Sequence, residues 1–86
     1  MREITIDERD WERPQDLMAW LKEELAFPAY FGGSLPALYD CLGDICEATY
    51  VTIVRRDPTP DTWFDKATVA FMRVAMENDN LKVRVR

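Results

Sequence analysis

At opposite ends of the chain, residues 2–6 (REITI) and 81–86 (LKVRVR) alternate apolar and polar side chains strictly. Such alternation marks strands with one dry face and one wet face. Between them lie three helical patterns and one more strand, so the elements read βααβαβ. Strands joined through helices run parallel. A parallel sheet covered on both faces would carry continuous apolar runs, and the terminal strands do not. The helices therefore belong on one face. Right-handed crossovers bring every helix to the same face only when the strands lie in sequential order. The expectation is a single α/β domain over residues 1–86. It has two layers and three parallel strands in order 1-2-3, with residues 49–55 (TYVTIVR), the most apolar strand, in the middle.

The intervening segments carry clear start and stop signals. Pro14 suits a first helical turn, and Leu17, Trp20, Leu21 and Leu25 recur at helical spacing. Pro28 disfavours helical torsions at Phe27, so this helix ends before it. Ser34 is a natural N-cap, with Pro36 in the turn that follows. In that second helix Leu35, Leu38, Leu42 and Ile45 point inward, and Pro36, Asp40, Asp44 and Glu47 take the other side. Asp61 or Thr62 caps a third helix running to about Asn78, with Phe64, Ala67, Phe71, Val74 and Ala75 inward. The last strand turns Leu81, Val83 and Val85 inward and leaves Lys82, Arg84 and Arg86 wet.

Size and charge narrow the function. A chain of 86 residues holds one core and little room for an enclosed active site. Sixteen acids against 11 bases give a net charge of −5. That argues against direct nucleic-acid binding, which needs clustered Lys and Arg, and fits a basic partner or simple solubility. The absence of histidine removes the commonest general base and metal ligand. Cys41 and Cys46 have no zinc or CxxC spacing and read as buried free thiols. No apolar run approaches a membrane span, and the polar N-terminus MREITIDERD lacks a leader's apolar region. The expectation is a soluble cytoplasmic monomer with no cofactor and no metal.

The most unusual stretch is FPAYFGGSLPALYDCL, Phe27–Leu42. Gly32 and Gly33 ahead of a helix could form a tight turn or an anion-binding nest. They also leave the backbone open to close approach by another molecule. Asp40, Asp44 and Glu47 share one flank, either as a solvated face or as a docking surface for a basic partner. They sit at the end of the helix where carboxylates oppose its dipole. Tyr30, Phe31 and Tyr39 could be core or interface anchors. Arg55 and Arg56 read as solvated.

Taken together, Leu25, Pro28, Tyr30, Phe31, Gly32, Leu35, Ala37, Leu38, Tyr39, Asp40, Cys41 and Leu42 resemble the distinctive segment of the barstar family. These are small intracellular inhibitors of ribonucleases such as barnase. The resemblance implies three parallel strands with helices on one side, and a binding module, not an enzyme. It implies that the loop and second helix plug the active site of a basic ribonuclease or ribonuclease toxin, one to one, as an immunity protein or antitoxin does. In this picture Asp40 stands in for an RNA phosphate, with Tyr30, Gly32, Ser34, Tyr39, Asp44 and Glu47 around it. Three positions depart from the family pattern. Ser34 replaces an amide, while Pro36 and Arg73 replace acids. Those changes motivate a rival reading, a regulatory domain that binds a non-nuclease protein through the same face. A small anion-binding enzyme built on Gly32–Ser34 is a further alternative.

Overall fold

A computed structural model describes residues 1–86. Strand β1 (Arg2–Asp7) leads through a single 3-10 turn (Glu8–Asp10) to helix α1 (Pro14–Glu24) and helix α2 (Leu35–Gly43). Strand β2 (Thr49–Val54), helix α3 (Trp63–Glu77) and strand β3 (Leu81–Val85) follow. The sheet is parallel throughout, in the order β1-β2-β3. Its register aligns Ile4, Val51 and Val83 in one row and Ile6, Ile53 and Val85 in the next. Thr49, Val51 and Ile53 of the central strand are buried beneath the helices. On the reverse face Glu3, Thr5, Lys82 and Arg84 are exposed. The one-sided two-layer arrangement follows from these two patterns. Val85, expected inward, is exposed. Burial falls along β3 from Leu81 through Val83 to Val85, the last residue of the strand.

Helix α1 buries Leu17, Met18 and Leu21. Half-buried Trp20 holds Trp11 against it at 5.3 Å between ring centroids. The helix ends two residues ahead of Phe27, in a Schellman motif. Ala26 takes a left-handed conformation (φ 54°). The Phe27 amide donates to the Lys22 carbonyl at 3.0 Å and the Ala26 amide to that of Glu23 at 3.4 Å. The motif normally uses glycine there, because a Cβ is crowded in that conformation. Helix α3 starts at Thr62, whose Oγ1 accepts from the Asp65 amide at 3.1 Å. Asp65 reaches back to the Asp61 amide at 2.9 Å. Its buried polar residue, Thr68, donates to the Phe64 carbonyl at 2.9 Å.

Arg56 is exposed as expected, though ion-paired, whereas Arg55, also expected to be solvated, is half-buried and engaged. The Arg55 Nη1 lies 2.9 Å from Asp65 Oδ1, and its guanidinium carbon lies 5.9 Å from the centroid of the Phe64 ring. Arg56 grips Asp7 with two nitrogens, at 2.7 and 3.1 Å. Glu8 Oε1 accepts from the Arg56 and Asp57 amides at 2.6 and 2.9 Å. The end of β1, the loop after β2 and the start of α3 are joined by this polar seam. The Arg56 hydrogen bond, above all, holds the Asp7 carboxyl down from its ordinary 3.8 to about 2.

Two predictions follow from these contacts. Ala26→Gly relieves the left-handed strain of about 1–2 kcal/mol and gives back part of it as unfolded-chain entropy. A net gain of about 0.5–1 kcal/mol is expected in urea denaturation. Asp7 has a depressed folded pKa, so its stabilisation is complete above 3.8 and disappears as pH falls toward about 2. The stability gap between wild type and Arg56→Ala is therefore full at neutral pH and closes through that acid window in pH-resolved melts.

Candidate functional site

The loop between α1 and α2 is held from below by two aromatic rings. Phe27 and Phe31 are both buried and meet edge-on at 4.9 Å. The Phe31 amide closes a turn on the Pro28 carbonyl at 2.9 Å. The residue between these anchors that was open to either reading, Tyr30, points outward and is 83% exposed. Gly33 has a φ of 78°, which strains any residue bearing a side chain, and the Met18 Cβ lies 3.5 Å from where its Cβ would be. Gly32 faces open space. This is the tight turn. As an anion nest it is poor, since Pro36 has no amide hydrogen and the Ala37 amide is taken by the Ser34 Oγ at 3.2 Å.

Helix α2 presents its faces as the spacing predicts. Leu38, Cys41 and Leu42 are buried, Tyr39 is half-buried, and Asp40 and Asp44 are exposed. The side chain of Asp40 makes no hydrogen bond and no ion pair within the chain, and neither does that of Asp44. Tyr30 and Tyr39 likewise keep their hydroxyls free. Glu47 is different, because Arg2 of β1 meets it at 3.0 Å while leaving it 59% exposed. Tyr30, Gly32, Ser34, Tyr39, Asp40, Asp44 and Glu47 thus lie along the loop, helix and following turn of one segment, all exposed except half-buried Tyr39. The two thiols part company. Cys41 is buried, whereas Cys46, expected buried, is exposed and bonds to the Asp44 carbonyl at 3.2 Å. Burial, then the charges of Asp44 and Asp40, push the Cys41 thiol pKa up, away from reactivity. No group of three His, Cys, Asp or Glu side chains is arranged to hold a metal ion.

One positioning residue gave no signal in the sequence. The Asn78 side-chain amide, at the end of α3, donates toward the carbonyls of Leu42, Gly43 and Ile45 at 3.0, 3.3 and 3.1 Å. Asn80 adds a longer bond to Ile45 at 3.4 Å. The end of a helix leaves carbonyls short of partners, and here one amide shares its two hydrogens among three of them. It also places positive N–H dipoles where Asp40 and Asp44 oppose the helix dipole. Nothing local in the sequence marks it, since its partners lie over thirty positions away. Asn78→Ala leaves the Gly43 carbonyl without a donor, Leu42 with only the Ile45 amide at 3.3 Å and Ile45 with only the longer Asn80 bond, so a loss of about 1–3 kcal/mol is expected in chemical denaturation. Faster amide exchange at Ile45–Glu47 should accompany it.

The family model described as Barstar (barnase inhibitor) matches residues 1–78. A candidate ribonuclease inhibitor of Bacillus subtilis (strain 168), YrdF, is 52% identical over 42 residues. That match covers 49% of this chain and 46% of the relative, about half the length of each. Three parallel strands in sequence order with three helices agree with the family match. The chain belongs to the barstar family.

Proposed function

We propose that this protein is a cytoplasmic inhibitor of a basic ribonuclease or ribonuclease toxin. It binds one to one, fills the active site with the surface of residues 30–47, and protects the cell that makes the enzyme. One observation carries the reading: Asp40 stands on a helix fixed at both ends, exposed, with no partner of its own. A ribonuclease cleft is built to hold phosphates with cations, and a fixed carboxylate meets the same groups. Asp44 extends the negative charge along the helix. Tyr30 and Tyr39 supply broad, stiff contact area at low cost in side-chain freedom.

The size is adequate. A standard interface takes roughly 800 Å² from each partner, about 15% of the 5393 Å² surface of this protein. Ser34, the two phenylalanines and Asn78 hold the segment in place before the partner arrives, so little freedom is lost on binding. Glu47 takes part differently. A cation of the enzyme competes with Arg2 for it, so Glu47 contributes less than Asp40.

The test uses ribonuclease captured from the producing cell on immobilised protein, with activity titrated by inhibitor. Asp40→Ala should weaken inhibition by about 2–5 kcal/mol. Its thermal melt should be no lower than wild type, because the side chain has no internal hydrogen bond or ion pair to lose and its charge opposes the dipole of α2. Equal inhibition by the two proteins would remove Asp40 from its assigned role.

A further inference from the structure

Beside the carboxylates, on the Tyr39 side, a groove runs between α2 and α3. Leu35, Tyr39 and Val69 line it, together with Lys66 and Arg73. Lys66, Val69 and Arg73 are three and four positions apart on α3, so they share one helix face. Both cations are exposed, and neither side chain has an ion pair or hydrogen bond within the chain. Two carboxylates also border the groove. Asp65 is already satisfied by Arg55 at 2.9 Å and by the Asp61 amide at 2.9 Å. Asp61 lies just before the first turn of α3, at the Lys66 end. Arg73 stands two turns further along, unopposed.

The docking surface is thus divided. Asp40 and Asp44 make one side negative, Arg73 puts an unpaired positive charge on the other with Lys66 set toward Asp61, and Tyr39 lies beside both. A cleft lined only by cations would meet Asp40 well and Arg73 badly. Like charges brought together on docking are a strong source of rejection. Satisfying both sides requires cations opposite Asp40 and an anion opposite Arg73. We infer that Lys66 and Arg73 form a selectivity rim that admits a ribonuclease carrying a carboxylate beside its cationic cleft and disfavours one whose rim is wholly basic. The inference rests on the reading of the Asp40 face as the docking surface.

Barnase, the enzyme in the family's description, serves as the probe. Association rate and inhibition are measured at low salt for wild type, Arg73→Glu, Lys66→Glu/Arg73→Glu, Asp40→Ala and Arg84→Glu. Arg84 lies on the open face of the sheet, so its reversal changes the net charge equally without touching the groove. Arg73→Glu should bind barnase on the order of tenfold more tightly than Arg84→Glu does, through faster association. In a second arm, each Arg or Lys at the rim of the barnase cleft is replaced in turn by Glu. One such variant should bind wild type at least about tenfold better than it binds Arg73→Glu, the converse coupling. Changes in Arg73→Glu and Arg84→Glu that agree within about twofold would overturn the rim. So would failure of the double reversal to bind barnase at all. If Asp40→Ala leaves the binding of every variant unchanged, the docking reading itself falls.

Discussion

A three-stranded sheet with one dry face has a single place to put its apolar side chains. Everything else in this protein is arranged around that constraint. The helices must collect on the side of Ile4, Ile6, Val51 and Ile53, and the strands must follow one another in sequence for right-handed crossovers to bring them there. Helix α2 is short and packs beside α3 with Leu38, Cys41 and Leu42 in the core. Each leucine so buried contributes about 1.5–3 kcal/mol. With that side fixed, the helical repeat leaves Asp40 and Asp44 no option but to face outward. Presentation of the carboxylates is thus a consequence of burial on the other side of the same helix.

The loop before α2 and the turn after it are restrained by different means. Ahead of the helix the anchors are apolar, Phe27 and Phe31 in the core, followed by Gly33 in a left-handed turn beside Met18. After the helix the restraint is polar, the Asn78 amide on three carbonyls and the Arg2–Glu47 pair. A helix of nine residues would not hold its shape alone in water. Supported from both ends, it becomes a fixed element. The Arg55–Asp65 and Arg56–Asp7 contacts do comparable work at the far end of the sheet, joining β1 to the start of α3.

Much of this was legible in the residues themselves. Alternation in REITI and LKVRVR separates dry from wet faces, and the helix order then leaves few ways to assemble them. Ser34 and Thr62 act as caps because their hydroxyls serve the nearest free amides, a local effect that spacing reveals. What was hidden depends on distance along the chain. Arg56 read as wet because its partner Asp7 lies nearly fifty positions away, and Arg55 because Asp65 lies beyond a loop with two prolines. Asn78 read as a helix stop, and it is one, but its side chain serves a different helix. Cys46 and Val85 were misplaced for another reason. Each lies where a regular element ends or loses its neighbour, so a periodic pattern no longer tells which way a side chain points.

The Asn78 clamp also gives the protein a chemical age. Side-chain amides hydrolyse slowly in water, and the product here would be an aspartate. Its carboxylate has no hydrogen to give, so three carbonyls that now receive a donor would face a charged acceptor. The new charge would also arrive beside Asp44 at the negative end of α2. Conversion of this one amide would therefore loosen α2 from its rear support while the helix's own residues stayed chemically intact.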